Sequence, residues 1–437
     1  MKRIEIPKTS LVVLCGSAGC GKSNFASRHF RPTQVVSSDH CRAMVSDSEE
    51  DMSASRKAFK VFRLIIDSRL ALGRLTVSDS TALTPKARRE LVTIGRKHDF
   101  QLVLIIFDIP LPVCVERNLS RDRNVPSKVL SSHRRLLDRT LASVHGEDFD
   151  SIYVIKGDEL DSLNVEIVPL PVEVPLPGPF DIIGDVHGCC DELEILLDRL
   201  GYIRTNNVFT HPAGRTAVFT GDLGDRGPRC LDTIELALNM VSAGSALYVP
   251  GNHCRKLHAY FQGRKIKISH GLEMTLEELE KAGRSRRDSI AGRFLEIYER
   301  ALPYLVLDRG RLVVSHAGIK ENMIGRLSGR IRRFCLFGDT TGEVDANGLP
   351  KRRDWASQYR GRSLVVYGHT PVPEAVLRNN TIDIDQGCVL GGKLTALRYP
   401  EMEIAQVEAL DAYYTRGVMR SLAEVPSPGP DFGEMHL

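Results

Sequence analysis

The sequence predicts an α/β protein made of two units, each with a β-sheet flanked by helices. Three observations predict this class. Short apolar runs alternate with segments of helical periodicity in the first part of the chain, which is typical of mostly parallel sheets with right-handed crossovers. A glycine-rich loop, GSAGCGKS, follows the first of these runs. Beyond a proline-rich stretch, five more apolar runs end on a carboxylate, an amide or an imidazole, where α/β sheets usually bind ligands.

Length and composition exclude several classes of protein. A chain of 437 residues is longer than one ordinary domain, and 42% hydrophobic with 26% charged residues is typical of soluble globular proteins. The net charge of +4 does not by itself indicate nucleic-acid binding. The longest apolar run, Leu102–Phe107, is far shorter than a membrane span. We expect a cytoplasmic protein with no membrane association and with reduced cysteines, and we leave oligomerisation open.

Proline marks the division between the two units. Residues 168–180 read VPLPVEVPLPGPF and contain five prolines, which favour extended backbone and resist helix formation. We therefore predict a first domain over residues 1–167, a linker over 168–179, a second domain over 180–410 and a C-terminal tail over 411–437.

The first domain is predicted to alternate strands and helices. Its strand-like runs are Leu11–Cys15, Gln34–Ser37, Leu75–Ser78, Leu102–Asp108 and Ile152–Ile155. Between the second and third runs, Ser53–Leu72 places apolar residues at helical spacing. This pattern predicts a parallel sheet with flanking helices.

The glycine-rich loop predicts a nucleotide site. It matches the P-loop pattern G-x-x-x-x-G-K-[ST] in full, between a strand and a helix. Glycines let backbone N–H groups turn towards phosphate oxygens, and the helix that follows presents its positive end to them. We assign ATP with Mg²⁺ to this loop: Lys22 reaches the β- and γ-phosphates, and the Ser23 hydroxyl joins the Mg²⁺ shell. The nucleotide-binding residues are Gly16, Gly19, Gly21, Lys22 and Ser23.

Charged residues follow the later strands of this domain. Asp39 and Arg42 are three positions apart, so they share a face if a helix begins there. Asp39 would then take a proton from an attacking hydroxyl, or it would be a helix N-cap. Asp79, at the end of the third strand, would bind metal-coordinated water or cap the strand. A later segment would close over a triphosphate or be a solvated charged face. Its arginines are Arg117, Arg121 and Arg123.

Taken together, these residues resemble the 5′-hydroxyl polynucleotide kinases. The resemblance implies that Asp39 is the general base and acts with Lys22 in catalysis. It also implies that Arg42 holds the 3′-phosphate side of the acceptor. The residues that contact ATP would be Arg117, Arg121 and Arg123.

Five short motifs carry the chemistry of the second domain. They are GDVHG with Asp185 and His187, GDLGDRG with Asp222 and Arg226, GNHC with Asn252 and His253, SHAG with His316, and YGHT with His369. Each follows an apolar run, so the motifs are expected on one rim. A single one of these histidines would be explained as a structural residue, whereas all five motifs in order predict a site.

The donors in these motifs predict a pair of metal ions. Carboxylate, amide and imidazole groups suit Mn²⁺, Fe²⁺, Zn²⁺ or Ni²⁺, and two adjacent ions require a shared carboxylate; we expect Mn²⁺. The first ion is assigned to Asp185, His187 and the bridging Asp222, and the second to Asp222, Asn252, His316 and His369. Arg226 would bind phosphate oxygens, and His253 would protonate the leaving oxygen.

These motifs resemble the binuclear, calcineurin-like metallophosphoesterases, which include protein Ser/Thr phosphatases and diadenosine tetraphosphate hydrolases. The resemblance implies an α/β sandwich for the second domain. The stretch IDIDQGCVLGGKLTAL matches the closing motif of that family, with Gln386 where a threonine is expected. Asp385 in this stretch is expected to orient a metal ligand without binding metal itself. We give Asp79 the corresponding supporting role in the first domain.

The order of the two domains resembles the bacterial polynucleotide kinase-phosphatases of RNA repair, over about Leu11–Leu410. Relatives often carry a further ligase-like domain, which is not expected here. The resemblance implies an enzyme that phosphorylates 5′-OH ends and removes 3′-phosphate, 2′-phosphate or 2′,3′-cyclic phosphate. Its partners would be RNA or DNA ends and a separate ligase. Two alternatives stay open: a small-molecule kinase fused to a dinucleoside-polyphosphate hydrolase or protein Ser/Thr phosphatase, and a regulatory nucleotide switch.

Local basic clusters in the second half could contact a phosphate backbone. They are RKLHAYFQGRKIK, GRSRRD, SGRIRRF and KRRDW. Tyr260, Phe261 and Trp355 would offer stacking faces to bases. Solvated loops explain each cluster equally well.

Overall fold

The structure is a computed structural model that describes residues 3–120, 124–160, 162–344 and 350–414. The chain divides into two units. The first contains Met1–Pro171 and Gly325–Ile331, and the second contains Val172–Ile324 and Arg332–Leu437. Within the described ranges, no helix combines the length and the apolar character that crossing a membrane would require. The ten cysteines all lie in those ranges, and each is buried and free.

The first unit is built on a parallel sheet with helices on both faces. Its strands are β1 (Arg3–Pro7), β2 (Ser10–Cys15), β3 (Val35–Ser37), β4 (Thr76–Asp79), β5 (Gln101–Asp108), β6 (Ser151–Lys156) and β7 (Asn164–Val168). Its helices are α1 (Lys22–His29), α2 (Ser38–Ser46), α3 (Ser55–Ala71), α4 (Pro85–Lys97), α5 (Leu111–Leu119) and α6 (Ser127–Ser143). The sheet has the order β3-β4-β2-β5-β6, and β1 pairs separately with β7. The predicted parallel sheet and the long helix near α3 are confirmed.

The central strand shows why this sequence forms a buried parallel sheet. Successive side chains of β2 point to opposite faces. Val12 and Leu14 pack in a cluster that includes α1, while Leu11 and Val13 pack in a cluster that includes α3 and α4. A nearly continuous apolar run is therefore required. The same strand leads directly into the glycine-rich loop, which places that loop at the carboxyl edge of the sheet.

The second unit contains two large sheets and two separate antiparallel strand pairs. Its strands are β8 (Phe180–Ile183), β9 (Ile203–Thr205), β10 (Val208–Thr210), β11 (Thr216–Phe219), β12 (Ala246–Tyr248), β13 (Tyr304–Leu307), β14 (Leu312–Ser315), β15 (Thr340–Val344), β16 (Pro350–Arg352), β17 (Leu364–Tyr367), β18 (Leu377–Arg378), β19 (Thr381–Asp383), β20 (Asp385–Gln386), β21 (Lys393–Tyr399) and β22 (Glu403–Glu408). Its helices are α7 (Cys190–Leu200), α8 (Cys230–Ser242), α9 (Asn252–Phe261), α10 (Leu272–Lys281), α11 (Arg284–Arg300) and, from Arg332 on, α12 (Gly329–Phe337), whose first three residues are grouped with the first unit.

The two sheets pack face to face. One has the order β12-β11-β8-β21-β20 with β22 beside β21, and the other has the order β13-β14-β17-β19-β18. Ile182 of β8, Val314 of β14 and Val366 of β17 belong to one buried cluster between them. Helices α7 to α11 contribute to a second cluster on the opposite face of the first sheet. The predicted α/β sandwich is confirmed.

Part of the predicted proline-rich linker is hydrogen-bonded to a strand of the second unit. The Val306 N–H donates to Val172 O at 2.7 Å, and the Val174 N–H donates to Val306 O at 3.0 Å. Prolines keep this stretch extended, and an extended backbone can pair with the edge of a sheet. Residues 172–176 therefore belong structurally to the second unit.

One aromatic expectation is wrong. Trp355 is only 7% exposed and lies edge-on to the rings of Phe334 and Tyr359, so it is a core residue and cannot stack on a base. Phe261 packs edge-on against Phe294. Tyr260 is 39% exposed. The sequence could not separate these cases because burial depends on contacts between distant segments.

Candidate active sites

The glycine-rich loop connects β2 to α1. Gly19 and Gly21 have φ angles of 78° and 97°, which glycine adopts without the strain that a Cβ would cause. A Cβ at Gly19 would also lie 2.4 Å from Cys114 O. Helix α1 begins at Lys22, so the unpaired N–H groups of its first turn point towards the loop. The loop therefore has the backbone that phosphate binding requires.

The side chain of Lys22 is held against this loop. Its Nζ donates to Gly16 O at 3.0 Å and to Ser17 O at 2.7 Å, and the residue is 8% exposed. Ser23 is exposed on the first turn of α1. An ammonium and a hydroxyl thus lie together at the end of the loop, which is the pair that a nucleotide–Mg²⁺ complex needs.

Asp39 and Arg42 form an ion pair on α2. Arg42 Nη1 lies 2.7 Å from Asp39 Oδ1, and the two side chains are 5% and 46% exposed. The N-cap of α2 is Ser37, whose hydroxyl accepts from the His40 N–H at 3.3 Å, so the N-cap alternative for Asp39 is wrong. A buried guanidinium thus holds a carboxylate that remains accessible to solvent, which suits a general base.

Asp79 and Arg117 lie beside the same loop. Asp79 ends β4 in register with Leu14 of β2, so it shares the edge of the sheet that carries the loop. Arg117 Nη1 is 3.6 Å from the position of a Cβ on Gly21. A cavity of about 420 Å³ adjoins Gly21 and Arg117; its lining also includes Phe25, Arg28 and Leu160. Arg121 and Arg123 lie outside the described residues.

The motifs of the second unit lie at the carboxyl ends of strands from both sheets. Asp185 and His187 follow β8, Asp222 follows β11, Asn252 follows β12, His316 follows β14 and His369 follows β17. The expected single rim is thus formed by two sheets. Their face-to-face packing brings the two carboxyl edges alongside each other, which the motifs alone did not indicate.

The predicted ligands converge around Asp222. His316 Nε2 is 2.9 Å from Asn252 Oδ1 and 3.0 Å from His369 Nδ1. Asp222 Oδ2 is 3.4 Å from His316 Nε2 and 3.7 Å from His187 Nε2. Asp222 therefore lies between two groups of donors, where a bridging carboxylate is expected.

Asp185 completes the set. Its Oδ1 accepts from the Thr220 hydroxyl at 3.2 Å, and its Oδ2 accepts from the His369 N–H at 3.1 Å. The same carboxylate is 3.7 Å from His316 Nδ1. The structure thus brings together all six side chains that the sequence assigned to metal.

Arg226 and His253 lie beside these donors. Arg226 Nη1 is 3.1 Å from His187 Nε2, and Arg226 Nη2 is 2.9 Å from His253 Nε2. Asp225 Oδ2 is 2.7 Å from His253 Nδ1, and its Oδ1 accepts from the Thr275 hydroxyl at 2.6 Å. Asp225 therefore orients His253. The sequence prediction missed Asp225, although it stands within the motif GDLGDRG.

A second arginine reaches the donors from the side of His369. Arg352 Nη2 is 2.8 Å from His369 Nε2, and its Nε donates to Phe337 O at 3.1 Å. Burial lowers the pKa of Arg352. The motif KRRDW predicts only a basic cluster, and no spacing within it distinguishes this arginine from its neighbours.

Two family models match the chain. Residues 178–402, which are 225 of the 437 residues, match the model described as calcineurin-like phosphoesterase. The chain belongs to the calcineurin-like phosphoesterase family. Residues 11–141 match the model described as AAA domain. The chain therefore joins a P-loop domain of kinase-like type to a calcineurin-like phosphoesterase, and phosphoester hydrolysis is an activity of the second domain.

Close relatives of the phosphoesterase domain are named bis(5′-nucleosyl)-tetraphosphatase PrpE [asymmetrical]. The protein of that name from Anoxybacillus flavithermus is 50% identical over 234 residues, which are 54% of this chain and 96% of the relative. The one from Bacillus subtilis is 47% identical over 228 residues, which are 52% of this chain and 93% of the relative.

The donor set of this phosphoesterase fits the divalent metals that the family implies. Burial lowers the pKa of His187, His316 and His369, so their imidazoles are neutral at neutral pH. Burial raises the pKa of the Asp222 carboxyl, but in the acid range where this carboxyl titrates the positive charge of nearby imidazoles, His316 first, brings the pKa below its usual range. Metal ligands must be deprotonated, and the three neutral imidazoles and the Asp222 carboxylate meet this requirement.

Electrostatics also link the phosphoesterase ligand Asp185 to Asp385. Burial, and then the Asp385 carboxylate, raise the pKa of Asp185 well above its usual value. Burial likewise raises the pKa of Asp385 to about 6. Asp385 Oδ1 accepts from the Gly387 N–H at 2.9 Å. The contact that the structure shows for Asp385 is thus with its own loop, and its influence on Asp185 is electrostatic.

Gly251 offers a test of the bridging carboxylate. A Cβ at this position would lie 2.0 Å from Asp222 Oδ1, whereas its backbone, with φ −94° and ψ 175°, suits any residue. We expect Gly251→Ala to displace Asp222 and to weaken Mn²⁺ binding by at least about 10- to 100-fold, the range for loss of a ligand's supporting contact. Titration calorimetry with Mn²⁺ measures this. Gly292→Ala is the control, because a Cβ there meets nothing within 4 Å; equal affinity in both variants would contradict the prediction.

Proposed function

We propose that this chain is a bifunctional nucleic-acid end-healing enzyme of RNA repair. Its first domain phosphorylates 5′-OH ends with ATP, and its second removes 3′-phosphate, 2′-phosphate or 2′,3′-cyclic phosphate. The observation that carries the proposal is the Asp39–Arg42 pair, at 2.7 Å, on the strand edge that also carries the P-loop. This pair suits an acceptor hydroxyl that is flanked by its own phosphate, as at the 5′ end of a polynucleotide. A separate ligase would join the healed ends.

The kinase residues divide the work of phosphoryl transfer. Bound ATP–Mg²⁺ supplies the phosphoryl group and neutralises its charge. Lys22 binds the phosphates, and Asp39 accepts the proton of the 5′-hydroxyl. Arg42 fixes the Asp39 carboxylate and offers charge to the adjacent phosphate of the acceptor. Arg117, beside Gly21, contacts the nucleotide.

The phosphatase residues act on the other kind of polynucleotide end, the one that carries the 3′-, 2′- or 2′,3′-cyclic phosphate. Two divalent ions, with Mn²⁺ our choice, would supply Lewis acidity and charge neutralisation. The residues that would hold them are Asp185, His187, Asp222, Asn252, His316 and His369. Arg226, beside His187, and Arg352, beside His369, would bind oxygens of the phosphate that is attacked. His253, oriented by Asp225, gives a proton to the leaving oxygen.

A second candidate function is hydrolysis of dinucleoside tetraphosphates. It is favoured by the 50% identity to a bis(5′-nucleosyl)-tetraphosphatase over 96% of that relative. In this case the same phosphoesterase site cleaves a phosphoanhydride, and the P-loop domain is a small-molecule kinase.

A comparison of substrates distinguishes the two candidates. We expect the chain, with Mg²⁺ and Mn²⁺, to transfer label from γ-labelled ATP to 5′-OH oligonucleotides, and to hydrolyse 3′-phosphate or 2′,3′-cyclic phosphate ends with a higher kcat/KM than diadenosine tetraphosphate. Asp39→Asn is the matched control, since it should remove label transfer and spare hydrolysis. No transfer over a range of salt and metal, together with preferred hydrolysis of diadenosine tetraphosphate, would support the second candidate. Matched RNA and DNA ends decide the nucleic-acid preference.

A further inference from the structure

The chain returns to the phosphoesterase site after β22. The Leu410 N–H and the Tyr413 hydroxyl both donate to Glu192 Oε1 at 2.9 Å, and Glu192 is fully buried. The Tyr414 N–H donates to Val389 O at 3.0 Å. We name residues 409–414 the return segment. Residues 411–414 of this segment lie in the predicted C-terminal tail, and in the structure these contacts fix the segment to the domain.

The return segment places an aromatic ring against Arg226. The Cζ atom of Arg226 is 5.6 Å from the centroid of the Tyr414 ring, within the distance of a cation–π interaction. The nitrogen atoms of the same guanidinium contact other groups: Nε donates to His270 O at 3.2 Å, and Nη1 and Nη2 meet His187 and His253. Tyr414 is thus a partner of the guanidinium that uses none of its N–H groups.

One of the N–H contacts of Arg226 is incompatible with metal binding. Arg226 Nη1 points at His187 Nε2, which is the nitrogen available to a metal ion because His187 Nδ1 lies 3.0 Å from Gly224 O. A ring nitrogen that binds metal has no lone pair left to accept from Arg226. In the loaded site Nη1 must therefore change partner, and the Tyr414 ring and His270 O are contacts that can persist.

We propose that Tyr414 is a positioning residue, which holds the Arg226 guanidinium by its face so that Nη1, once it has left His187, is free to bind a phosphate. The inference rests on the phosphate-binding role proposed for Arg226. The return segment supplies the rigidity for this role through its hydrogen bonds to Glu192 and Val389. Tyr414, which lies beyond β22, thus completes the phosphate-binding side of the site.

Paired variants test this role. Tyr414→Leu keeps the apolar bulk that packs against the core and removes the aromatic face, whereas Tyr414→Phe keeps the face. With p-nitrophenyl phosphate as the probe, we expect Tyr414→Leu to lower kcat/KM about 3- to 30-fold, the range of one cation–π contact, and Tyr414→Phe to stay within about twofold of the parent. The dissociation constant of inorganic phosphate, measured by calorimetry, should rise by the same factor in Tyr414→Leu, with unchanged metal content.

The Arg226→Ala background separates positioning from a merely structural effect. There, Tyr414→Leu should have no further effect on kcat/KM, because the group that it positions is gone. Additive losses would overturn the inference, and so would a Tyr414→Phe variant as impaired as Tyr414→Leu. Tyr153→Leu, at a partly exposed tyrosine of β6 in the first unit, is the control. Full activity of Arg226→Ala would overturn the proposed role of Arg226 itself, whereas loss in Arg226→Ala with none in Tyr414→Leu would overturn only this inference.

Discussion

Replacement of Asp222 by alanine is expected to abolish phosphatase activity and to leave the proposed 5′-kinase activity intact. Asp222 is 1% exposed and lies between the donor groups of His187 and His316. Its Oδ1 also accepts from the His253 N–H at 2.9 Å. The variant therefore loses the carboxylate that both ions would share and the anchor of the candidate acid. We expect more than the roughly 10- to 100-fold loss that follows removal of an outer-shell partner of a metal ligand.

Three measurements on the same protein check the Asp222 prediction. They are hydrolysis of p-nitrophenyl phosphate with Mn²⁺, metal content by mass spectrometry, and label transfer from γ-labelled ATP to a 5′-OH oligonucleotide. Asp198→Ala is the matched control, because Asp198 is exposed on α7. Loss of both activities in a folded variant would contradict two separate sites, and full metal content would contradict the bridging role.

Lys22→Ala is expected to have the converse effect. Lys22 Nζ is held within 3.0 Å of two carbonyl oxygens of the P-loop, where it meets the phosphates of a nucleotide. We expect label transfer to fall by about 10³-fold or more, the scale on which a single cation at a transferring phosphoryl group contributes. The phosphatase should stay within about twofold of the parent, because its residues belong to the second unit.

Nucleotide binding gives the Lys22 prediction a readout other than turnover. We expect weaker ATP–Mg²⁺ binding by calorimetry in Lys22→Ala and unchanged binding in Lys57→Ala, since Lys57 is exposed on α3. Retained label transfer in Lys22→Ala would remove the P-loop from the proposed mechanism. Parallel loss of hydrolysis would indicate that the variant is misfolded or that the two activities share a site.

The features that the sequence predicted are encoded locally. The glycine-rich loop and each of the five donor motifs lie within a few residues of the strand that presents them, so periodicity and motif spacing were enough to place them. Asp225 was equally accessible, since it stands three residues after Asp222 and its neighbour Arg226 was assigned. Asp225 was missed because a carboxylate that orients a histidine does not stand at a fixed separation from that histidine in the sequence.

Features that depend on long-range pairing could not be predicted in this way. Strand β8 pairs with β21, which lies about 200 residues later, with Ile182 opposite Leu397. The division of the donors between two sheets follows from such pairings. Arg352 reaches His369 from β16, which pairs only with β15 in the described residues. Tyr414 reaches Arg226 from the segment that follows β22. Arginine and tyrosine occur at many positions of the sequence, and only the fold shows that Arg352 and Tyr414 are the ones that reach the site.

The pairing of residues 172–176 with β13 has a consequence for the solubility of the phosphoesterase domain. Strand β13 is the outermost strand of its sheet, and an uncovered outer strand is a template for association between molecules. A fragment cut at Phe180, where the first donor-bearing strand begins, would strip this cover and expose the Val306 backbone groups. A fragment that starts at Val172, which is fully buried and is the first residue of the second unit, would retain the protection and remain monodisperse at higher concentration.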